Sequence, residues 1–70
     1  MKNRLKQLRE ARNLSQIRVA MDLYLNQNSI SRYETGAREA DYELLIRFAE
    51  YYDVSIDYVL FRTENPKMNR

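Results

Sequence analysis

The stretch from Ser15 to Glu34 constrains this chain more than any other. It carries two short apolar patterns at helical spacing, separated by Tyr24-Leu25-Asn26. In the first, Gln16 to Leu23, Ile17, Ala20 and Met21 fall at the i, i+3, i+4 interval of one helical face, with Leu23 beside them. That spacing predicts them as inward residues. The second, Gln27 to Glu34, has only Ile30 and Tyr33 to turn inward, and Gln27, Asn28, Ser29, Ser31 and Arg32 fill its other positions. Asn and Ser favour caps and turns over helix interiors. A helix of this make-up suits core packing badly. Its outer face is suited to hydrogen-bonding, because amides, hydroxyls and guanidinium groups are what meet base edges and phosphates. The stretch therefore predicts two helices and a tight turn, with the second helix displayed outward.

The flanking segments read as helices too. Lys2 to Arg12 carries Leu5, Leu8 and Ala11 as a narrow apolar stripe and ends at Asn13, a residue that tolerates the left-handed conformation. Ser15 and Asn26 are the expected N-caps of the two central helices, and Gly36 is the expected left-handed residue closing the second. Asp41 caps a helix to about Tyr52, with Leu44, Leu45, Phe48, Ala49 and Tyr52 on one face. Ser55 caps a last helix, Ile56 to Phe61, with Ile56, Val59 and Leu60 inward. Residues 62–70 hold little apolar surface, and Pro66 interrupts any continuing helix. One glycine and one proline in 70 residues leave room for short connections only. The expected organisation is one all-α domain of five helices over 1–61, with a tail over 62–70 that frays or is ordered by a partner.

Composition narrows the chemistry. Neither cysteine nor histidine is present, which removes disulfides, thiol chemistry, the common zinc sites and imidazole acid–base catalysis. The carboxylates Asp41, Glu43, Glu50, Asp53 and Asp57 do not have metal-loop spacing. No enzyme and no cofactor are expected. No apolar run approaches a membrane span and no leader pattern follows Met1, so a cytoplasmic protein is expected, without a membrane partner. The net charge of +2 conceals an asymmetry. Residues 1–38 hold eight Lys/Arg against three acids, whereas residues 39–61 hold one Arg against six acids. A basic half beside an acidic half points to a polyanion meeting one side of the molecule. Lys2, Arg4, Lys6, Arg12 and Arg18 are candidates for helping to hold phosphates.

Taken together, Leu5-x-x-Leu8-Arg9-x-x-Arg12, Leu14-Ser15-Gln16, Ala20, Ile30-Ser31-Arg32-Tyr33-Glu34-x-Gly36-x-Arg38, Leu45, Ala49 and Val54-Ser55-Ile56-Asp57 make a recognisable series. By these blocks the chain resembles the phage-repressor-like, XRE/Cro-type helix-turn-helix DNA-binding family. The resemblance implies a compact five-helix bundle of the lambda-repressor type. Its second and third helices would form the helix-turn-helix, and the helix opening at Gln27 would enter the major groove. It implies that Gln27, Asn28 and Ser31 lie toward base edges, that Gln16 meets a phosphate and that Arg38 approaches the backbone. Arg18, Ser29 and Arg32 join these as candidate phosphate contacts, although Arg32 and Glu34 are more often structural in such domains. The family usually has glycine where this chain has Tyr24. If that position keeps a positive φ, tyrosine there costs about 1–2 kcal/mol. The family also usually has a basic or small residue and a proline near Glu39-Ala40, and here Glu39 sets a negative charge beside Arg38.

Six tyrosines are many for so short a chain. Tyr33 and Tyr52 fit the core by periodicity. Tyr42, Tyr51, Tyr58 and Phe61 are harder to bury, and Tyr51, Tyr58 and Phe61 form a candidate dimer interface. The expected function is a sequence-specific, double-stranded-DNA-binding transcription regulator. It is expected to be a homodimeric repressor. The alternative is a protein-interaction module of the same fold, such as an antitoxin or an antagonist of another regulator, using the acidic, tyrosine-rich second half.

Overall fold

Side-chain caps set where the helices begin. The computed structural model describes residues 2–67, and among them it has five helices and no strand: α1 (Leu5–Ala11), α2 (Gln16–Leu23), α3 (Gln27–Thr35), α4 (Tyr42–Tyr52) and α5 (Ile56–Val59). Ser15, Asn26, Asp41 and Ser55 each accept a hydrogen bond from the backbone N–H three residues on, at 2.8–3.0 Å. Each such cap is worth about 1 kcal/mol. The all-α bundle with α2 and α3 as adjoining short helices is the architecture expected from the sequence.

The helix ends share a device. Asn13, Tyr24, Asp53 and Phe61 all have φ between 55° and 62°, and Gly36 has φ 80°. At Tyr24, its N–H donates to the carbonyl of Met21, and that of Leu25 to Ala20 at 2.8 Å. The same paired bonds follow α1, α4 and α5. In this closure the residue after the left-handed one folds back onto the helix. After α1, α2 and α4 that residue is Leu14, Leu25 or Val54, each packed into or against the core, and after α5 it is the exposed Arg62. Asn13, Tyr24 and Asp53 thus turn the chain sharply while keeping apolar side chains inward.

Two helix boundaries differ from expectation by more than one residue. The first helix begins at Leu5 rather than Lys2, because Arg4 N–H donates to the carbonyl of Val59 at 2.8 Å, and Asn3 Oδ1 accepts from Leu5 N–H. The segment before Leu5 is held against α5 and cannot coil. The last helix ends at Val59 rather than Phe61, stopped by the left-handed turn at Phe61.

The core is built from Leu5, Leu8, Val19, Ala20, Leu23, Ile30, Tyr33, Ala40, Leu44, Phe48, Ala49, Tyr52, Val54 and Val59. Tyr33 and Phe48 meet edge to face at 5.9 Å, joining α3 to α4. The expected inward face of α2 requires correction. Ile17 and Met21 are 55% and 69% exposed, and the buried residues are Val19, Ala20 and Leu23. Both stripes have helical spacing. The rotation of α2 agrees with its polar side chains: Gln16 bonds Glu34 of α3, Asp22 bonds Tyr51 of α4, Val19 and Leu23 lie between those directions, and Ala20 lies just past Gln16.

Candidate nucleic-acid interface

The third helix is anchored from one side only. Ile30 and Tyr33 are buried, as their spacing predicts, and Gln27, Asn28 and Arg32 on the remaining surface are exposed. Ser29 and Ser31 are half-buried. Asn26 Oδ1 accepts from Ser29 N–H at 2.8 Å, which fixes the first turn of α3.

Glu34 holds the other end of the helix. Its side chain is 3% exposed and receives two hydrogen bonds from Arg9 of α1, Nε to Oε2 at 2.6 Å and Nη2 to Oε1 at 3.2 Å. Arg9 Nη1 donates to the carbonyl of Leu14. The Arg9 pKa is held above its ordinary value, chiefly by the hydrogen bond to Glu34. Gln16 Nε2 also donates to Glu34 Oε1, at 3.1 Å, and Gln27 Nε2 donates to Gln16 Oε1 at 3.4 Å. Gln16 and Gln27, both expected at the interface, are thereby brought together at the adjoining starts of α2 and α3.

The cations of residues 2–38 divide into two groups. Arg4, Arg9 and Arg12 are used inside the molecule. The Arg4 guanidinium lies between the rings of Tyr58 and Phe61, at 4.2 and 4.4 Å from their centroids, and donates to the carbonyls of Tyr58 and Thr63 and to Glu64. Arg12 donates to the carbonyls of Leu8 and Tyr52. The expectation that Arg4 and Arg12 help with phosphates therefore meets side chains already engaged with backbone carbonyls. Lys2, Lys6, Arg18, Arg32 and Arg38 stay exposed. Arg18 pairs along its own helix with Asp22, at 3.1 Å, and an exposed pair of this kind is a weak restraint. The Arg38 guanidinium lies 5.7 Å from the Tyr33 ring centroid, just beyond the end of α3.

The aromatic residues expected at a dimer contact fall in two places. Tyr51 is half-buried, and its hydroxyl donates to Asp22 Oδ2 at 2.6 Å. Tyr58 and Phe61 clasp Arg4, with Phe61 45% exposed. From the expected tail, Thr63 and Glu64 meet Arg4, and the Pro66 carbonyl accepts from Ser55 N–H at 2.9 Å. Residues 68–70 lie outside the described residues. Sequence reasoning missed Arg4 and Arg9 as internal struts. The one available signal was that Glu34 is one of only three acids in the basic half. Among the described residues no acidic cluster is arranged to hold a metal, and no helix is long and apolar enough to cross a membrane.

The model of the helix-turn-helix family matches residues 5–59, from the start of α1 to the end of α5. The chain belongs to that family. Among its helix-turn-helix relatives, the uncharacterised HTH-type transcriptional regulator YqaE of Bacillus subtilis is 38% identical over 91% of this chain and 55% of its own length. The HTH-type transcriptional regulator ImmR of the same organism is 35% identical over 94% of this chain and 52% of its own. The HTH-type transcriptional activator BcrR of Enterococcus faecalis is 35% identical over 81% of this chain and 28% of its own. The chain thus spans about half the length of the first two relatives. No solved structure matches it.

Proposed function

We propose that this protein is a sequence-specific, double-stranded-DNA-binding regulator of transcription rather than an enzyme, and that α3 enters the major groove. The observation that carries this is the two-sidedness of α3: Ile30 and Tyr33 face the core, while Gln27, Asn28 and Arg32 are exposed on a short, capped helix. In this reading Gln27, Asn28 and Ser31 face base edges, because amides pair with adenine and hydroxyls adapt to either partner. Gln16, Arg18, Ser29, Arg32 and Arg38 meet phosphates around that groove, which fixes register without reading sequence. The protein acts in the cytoplasm as a homodimer, with Tyr51, Tyr58 and Phe61 at or near the contact, and represses by occupying its site. It needs no cofactor. Its relatives, named as transcriptional regulators, support the regulatory role, and one of them is named an activator.

Selection of bound duplexes from a random pool at two salt concentrations tests this. The expected result is a two-fold site with half-sites about one helical turn, ~34 Å, apart, and affinity that falls steeply with salt. Salt-insensitive binding with no enriched sequence contradicts it.

One observation favours a second reading as a protein-interaction module. Ile17, Met21 and Tyr24, at i, i+4, i+7 along α2, are all exposed, Tyr24 by 92%. Tight capture of a protein partner by a chain that binds no duplex would support that reading.

A further inference from the structure

The outer face of α2 carries apolar side chains that the domain itself does not use. Ile17, Met21 and Tyr24 run the length of the helix and are exposed, while Val19, Ala20 and Leu23 fill the core side. Tyr24 is the most exposed of the large apolar residues, and it sits in the left-handed region, where glycine would be free of strain. Phe61, the other strongly exposed aromatic with a positive φ, lays its ring on Arg4. Among the described residues the Tyr24 ring and hydroxyl make no hydrogen bond or ring contact. A strained position that holds a ring out to solvent points to a contact outside the chain.

One edge of this stripe is charged. Arg18 and Asp22 each follow a stripe residue by one position, so they lie on the same edge. They pair with each other through Arg18 Nε, at 3.1 Å, and the pair is exposed. A guanidinium has five donors and a carboxylate can accept from several, so both groups have capacity for a further partner.

We propose that this face is a contact between two copies of the chain, packed with their α2 helices antiparallel about a two-fold axis near Met21. The stripe matches itself in that arrangement. Ile17 and Tyr24 lie on either side of Met21, so Ile17 meets the partner's Tyr24, and Met21 meets the partner's Met21 at the axis. The charged edge matches itself too. Antiparallel packing brings like edges together, which sets Arg18 across from the partner's Asp22 and Asp22 across from the partner's Arg18. A parallel pair would set that edge against the opposite one, where Gln16 and Ala20 carry no charge. Three side chains fall well short of the ~800 Å² per partner of a stable interface. The contact is therefore weak in free solution and takes hold where two copies are already kept close. It lies on a different face from Tyr58 and Phe61, which clasp Arg4, and it does not depend on DNA reading by α3.

The chain has no cysteine, so a single introduced thiol reports on a single place. Met21→Cys is expected to form a disulfide-linked dimer in air about tenfold or more faster than Tyr42→Cys, a control of matching exposure on α4. Equal rates overturn the contact and leave the stripe to another protein. Adding Arg18→Asp or Asp22→Arg to Met21→Cys is expected to slow the linkage. Mixing the two charge variants is expected to restore it, as a linked pair of one chain of each kind, identified by mass. A mixture no faster than its components overturns the proposal, because a role of Arg18 and Asp22 within one chain would not respond to mixing. Should the variants fail to fold, the wild type decides by nuclear magnetic resonance. The amide signals of Ile17, Met21 and Tyr24 are expected to shift on dilution from about 1 mM to about 10 μM, and signals that hold their positions contradict the contact. Neither contrary result bears on DNA reading by α3.

Discussion

Arg9 of α1 and Glu34 of α3 face each other as a nearly dry ion pair, with Arg9 Nε 2.6 Å from Glu34 Oε2. The pair ties the polar third helix to the first helix, where two inward apolar residues alone would hold it loosely. Removing one partner of a buried pair strands the other charge and costs about 3–5 kcal/mol, whereas replacing both with apolar groups is often near neutral. Arg9→Met alone and Glu34→Leu alone are therefore expected to unfold at much lower urea concentration than the wild type. The double variant is expected to recover most of the loss. Additive losses in the double variant would show that the two side chains act independently.

Tyr24 sits in the left-handed region with φ 57° and its side chain in solvent. A non-glycine residue there is strained by about 1–2 kcal/mol, and glycine gives back part of that gain through the freedom of the unfolded chain. Tyr24→Gly is expected to stabilise the domain by up to about 1 kcal/mol, measured as a rise in the urea midpoint. A loss of stability would mean that the Tyr24 ring makes a contact the domain needs.

The rotation of α2 separates what the sequence could reveal from what it could not. Cap residues are local, and Ser15, Asn26, Asp41 and Ser55 were legible because each acts on a backbone N–H three residues away. Ile30 and Tyr33 were legible because α3 has no competing apolar residues. Between Gln16 and Leu23 five apolar residues compete, and partners distant in sequence, Glu34 and Tyr51, choose among them. Arg4 and Arg9 escaped for the same reason: Glu34, Tyr58 and Glu64, which accept from them, lie 25 to 60 residues away. Val19→Ala is accordingly expected to cost about 2 kcal/mol or more, and Met21→Ala less than about 0.5 kcal/mol. Thermal melting of the two variants checks this, and the reverse order would restore the face predicted from spacing.

Tyr51 and Asp22 couple α4 to α2 through a pH-sensitive bond. Burial, and then the hydrogen bond to Asp22, push the Tyr51 phenol up from 10 to about 12. The folded chain holds that proton more tightly than the unfolded chain. Its contribution to stability is therefore complete below pH 10 and is lost as pH rises toward about 12. Asp22 is shifted the other way, down, first by the Tyr51 hydroxyl and then by Arg18. Its contribution is present above the ordinary carboxylate range and is lost as pH falls through the lowered value. Tyr51→Phe is expected to flatten the stability profile at both edges and to remove a late step from the phenolate absorbance titration. A profile that superimposes on the wild type contradicts the coupling.

Arg38 lies beyond the end of α3 and beside Tyr33. Arg38→Ala is expected to weaken binding to all duplexes about equally and to reduce the salt slope by about 1. A change in sequence preference measured by competition would place Arg38 on a base.

The most direct measurement compares the affinities of the wild type and the Gln27→Ala, Asn28→Ala double variant for a selected duplex and a scrambled one across a salt series. A log–log salt slope near −0.9 for each phosphate neutralised is expected, closely similar in both proteins. The double variant is expected to lose at least about 1–3 kcal/mol of discrimination. Binding that ignores salt, or a double variant that still separates the two duplexes as well as the wild type does, would contradict it.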